Sequence, residues 1–240
     1  MLRELQRHKI PIDVMVGVSA GAIIAAYFAG VGLTTDEMIG DAPCFKGRHL
    51  LMHGLTLRAP ARFKERLRRY CGVIPRRLRQ LEAARFDRLH HGIQRLGIVC
   101  HDVAANKPFY FSTLNDHGVR LCMTVKASAS IPGVLPAPIV SIGDRRVKFS
   151  DGGLSDSLPV DFVRSPELGA THIIVSDCRM RSRPAEGDDL VYIKPALEGC
   201  GSFMAPRATL MAAVRAGEAA VTPEVIARIR AWLVARAVAV

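Results

Sequence analysis

The chain has 240 residues, 49% of them hydrophobic, and a formal net charge of +11. This length and apolar content are enough for a substantial core and exclude a disordered chain. The positive charge favours anionic partners, such as lipid surfaces or nucleic acid. Six cysteines are scattered without a C-x-x-C pair or a histidine at metal-ligand spacing, so we expect reduced, mostly buried thiols. The first residues lack the pattern of a secretory signal, and the expected location is the cytoplasm.

The chain is predicted to open with a helix over residues 1–9, which Pro11 ends. Residues 13–16 then form an apolar run typical of a strand, and residues 22–29 an apolar run typical of a helix. Residues 14–33 are also long enough to span a bilayer. Four glycines and the strand-like beginning favour a strand followed by a buried crossover helix instead.

A G-x-S-x-G motif lies between these two runs and consists of Gly17, Val18, Ser19, Ala20 and Gly21. Ser19 therefore falls where a strand turns into a helix, as in a nucleophile elbow. We expect Gly17 and Gly21 to be required because a Cβ atom at either position would collide with the crossing helix and strand. The hydroxyl of Ser19 is then exposed at a helix N-terminus, where the N–H of Ala20 can stabilise an oxyanion.

The stretch from Arg58 to Arg95 carries twelve Arg or Lys residues and three acidic ones. Apolar residues at helical spacing predict amphipathic helices with basic outer faces. Their positions are Phe63, Leu67 and Tyr70, and farther on Phe86, Leu89, Ile93 and Leu96. Two interpretations remain open: a solvated arginine-rich surface, or peripheral contact with an anionic membrane. Nucleic acid is disfavoured because no DNA- or RNA-reading module is recognisable.

From residue 97 onward, short apolar runs alternate with helical ones. Strands are predicted at 97–103, 108–112, 138–143, 145–149, 172–176 and 190–193, with a turn at Gly143 and Asp144. Helices are predicted at 119–130, 205–220 and 223–238. This interleaving predicts an α/β architecture with a largely parallel sheet.

A serine nucleophile needs a base, and the best candidate is Asp151, which follows a strand and precedes Gly152 and Gly153. The two glycines allow a sharp reversal that leaves the carboxylate at the end of the sheet, although Asp-Gly-Gly by itself often marks only a turn. A Ser-His-Asp triad in the α/β-hydrolase order requires a histidine after Asp151, and only His172 follows it. His172 begins an apolar strand-like run, which favours a two-residue Ser-Asp device.

These residues, together with several longer segments, resemble the patatin-like phospholipase family from residue 1 to about residue 220. The matching segments are IPIDVMVGVSAGAIIAAYFAGVG around Ser19, ASASIPGVLPAP at 127–138, SDGGLSDSLPV around Asp151, GATHIIVSD near Asp177 and AVRAGEAA near the C-terminus. The order G-x-S-x-G, ASxxIPG and DGG is specific to such proteins, whereas G-x-S-x-G alone is not.

The resemblance implies a three-layer α/β/α patatin-like fold and a lipid acyl hydrolase that uses Ser19 as nucleophile and Asp151 as base, with no metal or cofactor. Asp156 and Ser157 stand where the family often has asparagines. The family's first strand and GGGxxG-type loop, which resembles the second half of an oxyanion hole, have no counterpart before residue 1. We therefore expect an impaired hydrolase that is poorly soluble or oligomeric.

The sequence as a whole predicts a patatin-like acyl hydrolase domain over residues 1–220 and a C-terminal helical tail over 221–240. The leading function is cleavage of acyl esters of phospholipids or lysophospholipids through an acyl-enzyme. Two alternatives stay open. One is a non-catalytic patatin-like pseudoenzyme at lipid surfaces, and the other is a Ser-His-Asp esterase that uses His172.

Overall fold

The structure is a computed structural model and describes residues 1–42, 60, 62–63, 74–179, 187–197 and 207–238. The chain divides into two compact units. The larger unit is Ile12–Gly169, and the smaller unit combines Met1–Pro11 with Ala170–Val240.

The larger unit is built on a five-stranded sheet. Its strands are β1 (Val14–Val18), β2 (Arg95–Asp102), β3 (Lys107–Ser112), β4 (Ile139–Ile142) and β5 (Arg145–Asp151). Strand β2 is the central one because it pairs with β1, β3 and β5. All of its residues after Arg95 are buried, as expected for a strand covered on both faces.

Strands β1 and β5 share one edge of β2. Cys100 pairs with Phe109 of β3 on one side and with Asp151 of β5 on the other. Strand β1 runs parallel to β2 and ends with Val18 opposite Val99, whereas β5 runs antiparallel and ends with Asp151 opposite Cys100. The two strands thus approach each other end to end, and the residues that follow Val18 meet Asp151.

Among the described residues of the larger unit, six helical segments of five residues or more accompany this sheet. They are α2 (Ala20–Ala25) with its π-helical continuation (Ala26–Val31), α3 (Thr35–Asp41), α4 (Pro75–Ala83), α5 (Leu121–Ser128) and α6 (Val160–Arg164). The π-helical segment ends at Gly32, whose φ of +81° is left-handed and suits glycine. Gly30 lies within the segment, and a Cβ there would be 2.5 Å from Leu121 Cδ2, so the lack of a side chain lets α5 approach closely.

The α/β fold class is confirmed, and the sheet is mixed rather than largely parallel. Among the described strands of the larger unit, β1 and β2 are parallel, while the other three pairings are antiparallel. The reason is the shortness of two connections, since β2 to β3 and β4 to β5 are hairpins and a parallel pair needs a long crossover. The predicted turn at Gly143 and Asp144 is the second of these connections.

The helix predicted from the spacing of Phe86, Leu89, Ile93 and Leu96 is wrong. Helix α4 ends at Ala83, and residues 84–94 form turns before β2 begins. His91 and Gly92 both have positive φ, which breaks a helix, while Phe86 and Ile93 are buried individually. The spacing came from separate core contacts of a loop and a strand.

The smaller unit contains α1 (Leu2–Arg7), the parallel strands β6 (Ile173–Ser176) and β7 (Leu190–Ile193), α7 (Arg207–Ala219) and α8 (Pro223–Val238). Arg3 of α1 forms an ion pair with Glu218 of α7. Helix α8 lies in the predicted tail, but its Ile226 and Ile229 are buried, and Trp232 Nε1 donates to the carbonyl of Asp188 at 2.8 Å.

Among the residues that the structure describes, no helix has the length and apolar character needed to cross a bilayer. The alternative of a span over residues 14–33 is wrong, because that segment divides into β1 and α2 with its π-helical continuation.

Candidate active site

Ser19 occupies a strained turn between β1 and α2. Its φ of +54° and ψ of −120° lie outside the regions that side-chain-bearing residues normally adopt, at a cost of about 1–3 kcal/mol. A Cβ on Gly17 would lie 2.5 Å from the carbonyl oxygen of Gly21 and 2.6 Å from Cα of Ala22, so the turn needs glycine there. The prediction for Gly21 is wrong, because nothing lies within 4 Å of the place its Cβ would occupy.

The structure brings the hydroxyl of Ser19 against the carboxylate of Asp151. Ser19 Oγ donates a hydrogen bond to Asp151 Oδ2 at 2.5 Å, across a sequence separation of 132 residues. Asp151 is 7% exposed, so little water competes for this contact. The end-to-end approach of β1 and β5 on β2 explains why the two side chains meet.

The second carboxylate oxygen of Asp151 is fixed by the turn that follows β5. Oδ1 accepts the N–H of Gly153 at 2.9 Å and thereby caps a 3₁₀ turn, Gly152–Leu154. Gly152 crosses β2 so closely that a Cβ would lie 2.2 Å from the carbonyl oxygen of Val99. The Asp-Gly-Gly segment is therefore a turn, and this turn leaves Oδ2 directed at Ser19.

The segment 128–130 contacts both Ser19 and Asp151. Ser128 Oγ accepts the backbone N–H of Ser19 at 2.9 Å. The carbonyl of Ser130 accepts the N–H of Asp151 at 3.1 Å and the hydroxyl of Ser150 at 3.1 Å. The sequence analysis assigned no role to these serines. The feature that could have indicated one is their position in the ASASIPG segment, at the end of an apolar helix.

Two carboxylates and a thiol near the site differ in their surroundings. Cys100 is fully buried opposite Asp151, and burial, with a smaller contribution from the Asp151 charge, raises the pKa of its thiol, so it stays neutral. Five residues after Asp151, the carboxylate of Asp156 accepts the hydroxyl of Tyr110 at 2.8 Å. Burial raises the pKa of Asp156, an effect that the Tyr110 hydrogen bond opposes and the neighbouring Asp161 reinforces.

Donors for an oxyanion are available at the start of α2. Ala20 and Gly21 are exposed, and their N–H groups lie in the first helical turn, where a helix offers them no acceptor. The positive end of the helix dipole points the same way. A carbonyl oxygen bound beside Ser19 can therefore find donors there.

His172, the candidate third member of a triad, contacts two residues within its own unit. It is exposed in the smaller unit, where Nδ1 is 3.1 Å from Thr171 Oγ1 and the ring lies 5.0 Å from that of Trp232. Within the larger unit, the Ser19 hydroxyl donates to Asp151.

The basic stretch is only partly described. Leu67 and Tyr70 lie outside the described residues, as do Arg58, Arg66, Arg68 and Arg69. Arg77 forms ion pairs with Asp41 at 2.7 Å and Glu37 at 3.3 Å, which ties α4 to α3. By contrast, Arg76, Arg79 and Arg88 are exposed and have no acidic partner among the described residues.

An α/β fold with a strained serine at a strand-to-helix turn and a buried aspartate against its hydroxyl is typical of a serine acyl hydrolase. A sequence model of the patatin-like phospholipase family matches residues 1–164, more than half of the chain. The chain therefore belongs to the patatin-like phospholipase family.

Among solved structures, the chain is similar to VipD from Legionella pneumophila. The TM-score is 0.53 and the sequence identity 11%, with 96% of this chain covered. The similarity at this identity concerns the fold. The match covers 63% of the length of the VipD chain, so this chain corresponds to only part of that protein.

Proposed function

We propose that the chain is a lipid acyl hydrolase of the phospholipase A or lysophospholipase type, which cleaves acyl esters through a Ser19–Asp151 dyad. The observation that carries the proposal is the 2.5 Å hydrogen bond from Ser19 Oγ to Asp151 Oδ2. A hydroxyl becomes an effective nucleophile when a base accepts its proton during attack, and this contact supplies the base.

In this proposal the reaction proceeds through an acyl-enzyme on Ser19. Ser19 Oγ attacks the ester carbonyl carbon while its proton passes to Asp151 Oδ2. The tetrahedral intermediate collapses as the protonated Asp151 gives that proton to the leaving alcohol, and an acyl ester remains on Ser19. Water then attacks the acyl carbonyl carbon while Asp151 accepts a proton from it. The second tetrahedral intermediate collapses as Asp151 returns that proton to Ser19 Oγ, which breaks the bond between Ser19 and the acyl group and releases the fatty acid.

The negative oxygen of both tetrahedral intermediates needs fixed donors. In this proposal Ala20 and Gly21 provide N–H groups at the start of α2, and Gly17 permits the turn that exposes them. Loss of a single such donor typically costs about 10² to 10³ in turnover. The hydrolysis rate therefore depends on how many donors surround the oxyanion.

Peripheral contact with an anionic membrane belongs to the same proposal. Support comes from the exposed arginines without an acidic partner in the described part of the basic stretch, which are Arg62, Arg76, Arg79 and Arg88. Arg77 is not part of this surface because Asp41 and Glu37 neutralise it.

The test uses a short-chain ester and three single variants. Ser19→Ala and Asp151→Asn should each lower kcat by about 10² or more, since a general base contributes about 10² to 10⁴. The double variant should be scarcely slower than either one, because groups that act as a unit are not additive. His172→Gln is the matched control and should stay within a few-fold of the wild type.

Labelling with a serine-reactive fluorophosphonate gives a readout that does not depend on lipid binding. We expect Ser19 to be modified in the wild type and in His172→Gln, and to react far more slowly in Asp151→Asn. If His172→Gln lowered kcat as much as Ser19→Ala, the site would be a triad and not a dyad. A wild-type chain that neither hydrolyses esters nor is labelled would be a pseudoenzyme.

A further inference from the structure

One short segment at the end of α5 contacts both members of the Ser19–Asp151 pair. This segment, Ser128, Ala129 and Ser130, is called the bridging segment below. Its two serines are nearly inaccessible, with exposures of 0% for Ser128 and 2% for Ser130. Ser128 receives the N–H of Ser19, and Ser130 receives the N–H of Asp151.

The contact on the Ser19 side meets a specific need. The ladder between β1 and β2 ends at Val18, so the next N–H, that of Ser19, has no partner in the sheet. Ser19 is also held at a φ of +54°, a conformation that persists only where the surroundings impose it. The Ser128 hydroxyl satisfies this N–H at 2.9 Å and restrains the strained residue from the opposite helix.

The bridging segment is itself firmly held. Ser130 Oγ donates to the carbonyl of Lys126 at 2.6 Å, and the N–H of Ala129 donates to Val125 at 3.0 Å. At the other end of α5, Leu121 is fully buried against Gly30 of the π-helical segment. The acceptors for the Ser19 and Asp151 N–H groups are therefore attached to one rigid element.

We propose that Ser128 and Ser130 are positioning residues that set the distance between Ser19 Oγ and Asp151 Oδ2, Ser128 through its hydroxyl and Ser130 through its carbonyl. Neither residue touches the reacting atoms. This inference rests on the proposed function, in which Ser19 is the nucleophile and Asp151 the base. The inference gives the ASASIPG segment a role in the site, which the dyad by itself does not explain.

The main variant is Ser128→Ala, which removes the acceptor for the Ser19 N–H. Because misplacement of reacting groups by about 1 Å can cost 10²-fold, we expect kcat to fall between about 10- and 100-fold while KM stays within about twofold. Ser128→Thr keeps an oxygen at the same position and should retain a higher kcat than Ser128→Ala. Thr124→Val is the matched control.

Thr124 suits this control because it lies on the same helix and is equally buried, with 0% exposure. Its hydroxyl donates only to the carbonyl of Leu121 within α5, at 2.9 Å. Loss of that hydroxyl should leave kcat unchanged. If Thr124→Val lowered kcat as much as Ser128→Ala, the effect would be a general loss of packing in α5, and the proposal would be overturned.

A double-variant cycle separates positioning from stability. If Ser128 acts by aligning Ser19 with Asp151, its loss should matter little once Asp151→Asn has removed the base. We therefore expect Ser128→Ala to cost less than about threefold in the Asp151→Asn background. An equal cost in both backgrounds would contradict alignment of the pair.

Hydrogen exchange at the Ser19 amide tests the contact without any activity. Exchange should be faster in Ser128→Ala than in the wild type and unchanged in Thr124→Val. Unchanged exchange in Ser128→Ala would overturn the positioning role even if the chain is an active hydrolase. The wild type could instead fail both to hydrolyse esters and to react with the fluorophosphonate, while Ser128→Ala still speeds exchange. That result would support the contact and overturn the proposed function.

Discussion

At the scale of single residues, the elbow depends on the absence of one Cβ atom. Gly17 faces only backbone atoms at 2.5–2.7 Å, and backbone cannot rotate away as a flexible side chain can. Gly21, four residues later, faces open space. The two glycines of the motif therefore carry different constraints, although they look equivalent in the sequence.

This difference gives a paired prediction on stability. Gly17→Ala should lower the free energy of unfolding by about 2 kcal/mol or more, because overpacking against rigid atoms typically costs 1–3 kcal/mol. Gly21→Ala should be neutral or stabilising by up to about 1 kcal/mol, since alanine favours a helix over glycine. Urea unfolding of both variants measures it. Equal destabilisation would mean that the turn does not approach Gly17 as described.

At the scale of elements, a hydrogen bond from β3 restrains the segment that follows Asp151. Tyr110 donates to Asp156, and its ring stacks on Phe162 of α6 at 4.3 Å. Burial raises the pKa of Tyr110 to about 12, and the hydrogen bond to Asp156 acts in the same direction, so Tyr110 remains a donor throughout the neutral range. The loop is thus tied to both a strand and a helix.

Asp156 makes this tie dependent on pH. Because its pKa is raised from 3.8 in the fold, chiefly by burial, the folded chain holds a proton that the unfolded chain has already released. Unfolding free energy should therefore fall as pH rises from about 4 through the raised pKa. Asp156→Asn cannot ionise but still offers an oxygen to Tyr110, so this fall should be absent.

Urea unfolding of the wild type and Asp156→Asn between about pH 3.5 and pH 7 measures the effect. The stability advantage of Asp156→Asn should grow across this range and then level off. Tyr110→Phe serves as a companion and should be less stable than the wild type near neutral pH, because a hydrogen bond to a charged group is worth about 1.5–3 kcal/mol. Parallel pH curves for wild type and Asp156→Asn would contradict the raised pKa.

At the scale of the whole molecule, a net charge of +11 attracts the chain to anionic surfaces from any direction. A specific membrane-facing surface requires in addition that some cationic side chains contribute more to vesicle binding than others. Arg76, Arg79 and Arg88 are exposed candidates within the described basic stretch, and Arg62, which precedes α4, is a further one. The exposed cations of the β4–β5 hairpin, Arg145, Arg146 and Lys148, lie outside it.

Binding to anionic vesicles should weaken as salt rises, since each basic group near such a surface contributes about 1 kcal/mol within a Debye length. Replacing Arg76, Arg79 and Arg88 by glutamine should weaken sedimentation with phosphatidylserine vesicles at least tenfold. The same replacement of Arg145, Arg146 and Lys148 removes equal charge and should weaken it much less. Equal losses would mean that only net charge matters.

The sequence by itself determined the local parts of the candidate site. The strand, Ser19 and the following helix come from a contiguous apolar pattern with glycine at the turn, and such patterns are local properties of the chain. The hairpin at Gly143 and Asp144 and helices α5, α7 and α8 could be predicted for the same reason. The family could be recognised because three local segments recur in a fixed order.

Only the tertiary structure decided which of these parts meet. The contact between Ser19 and Asp151 depends on β1 and β5 sharing one edge of β2, and pairing over 132 residues leaves no periodic trace in the sequence. The mixed sheet, the loop at residues 84–94 and the different constraints on Gly17 and Gly21 likewise follow from packing. Ser128 is the clearest case, because a buried serine at a helix end gives no sign in the sequence of the distant amide that it accepts.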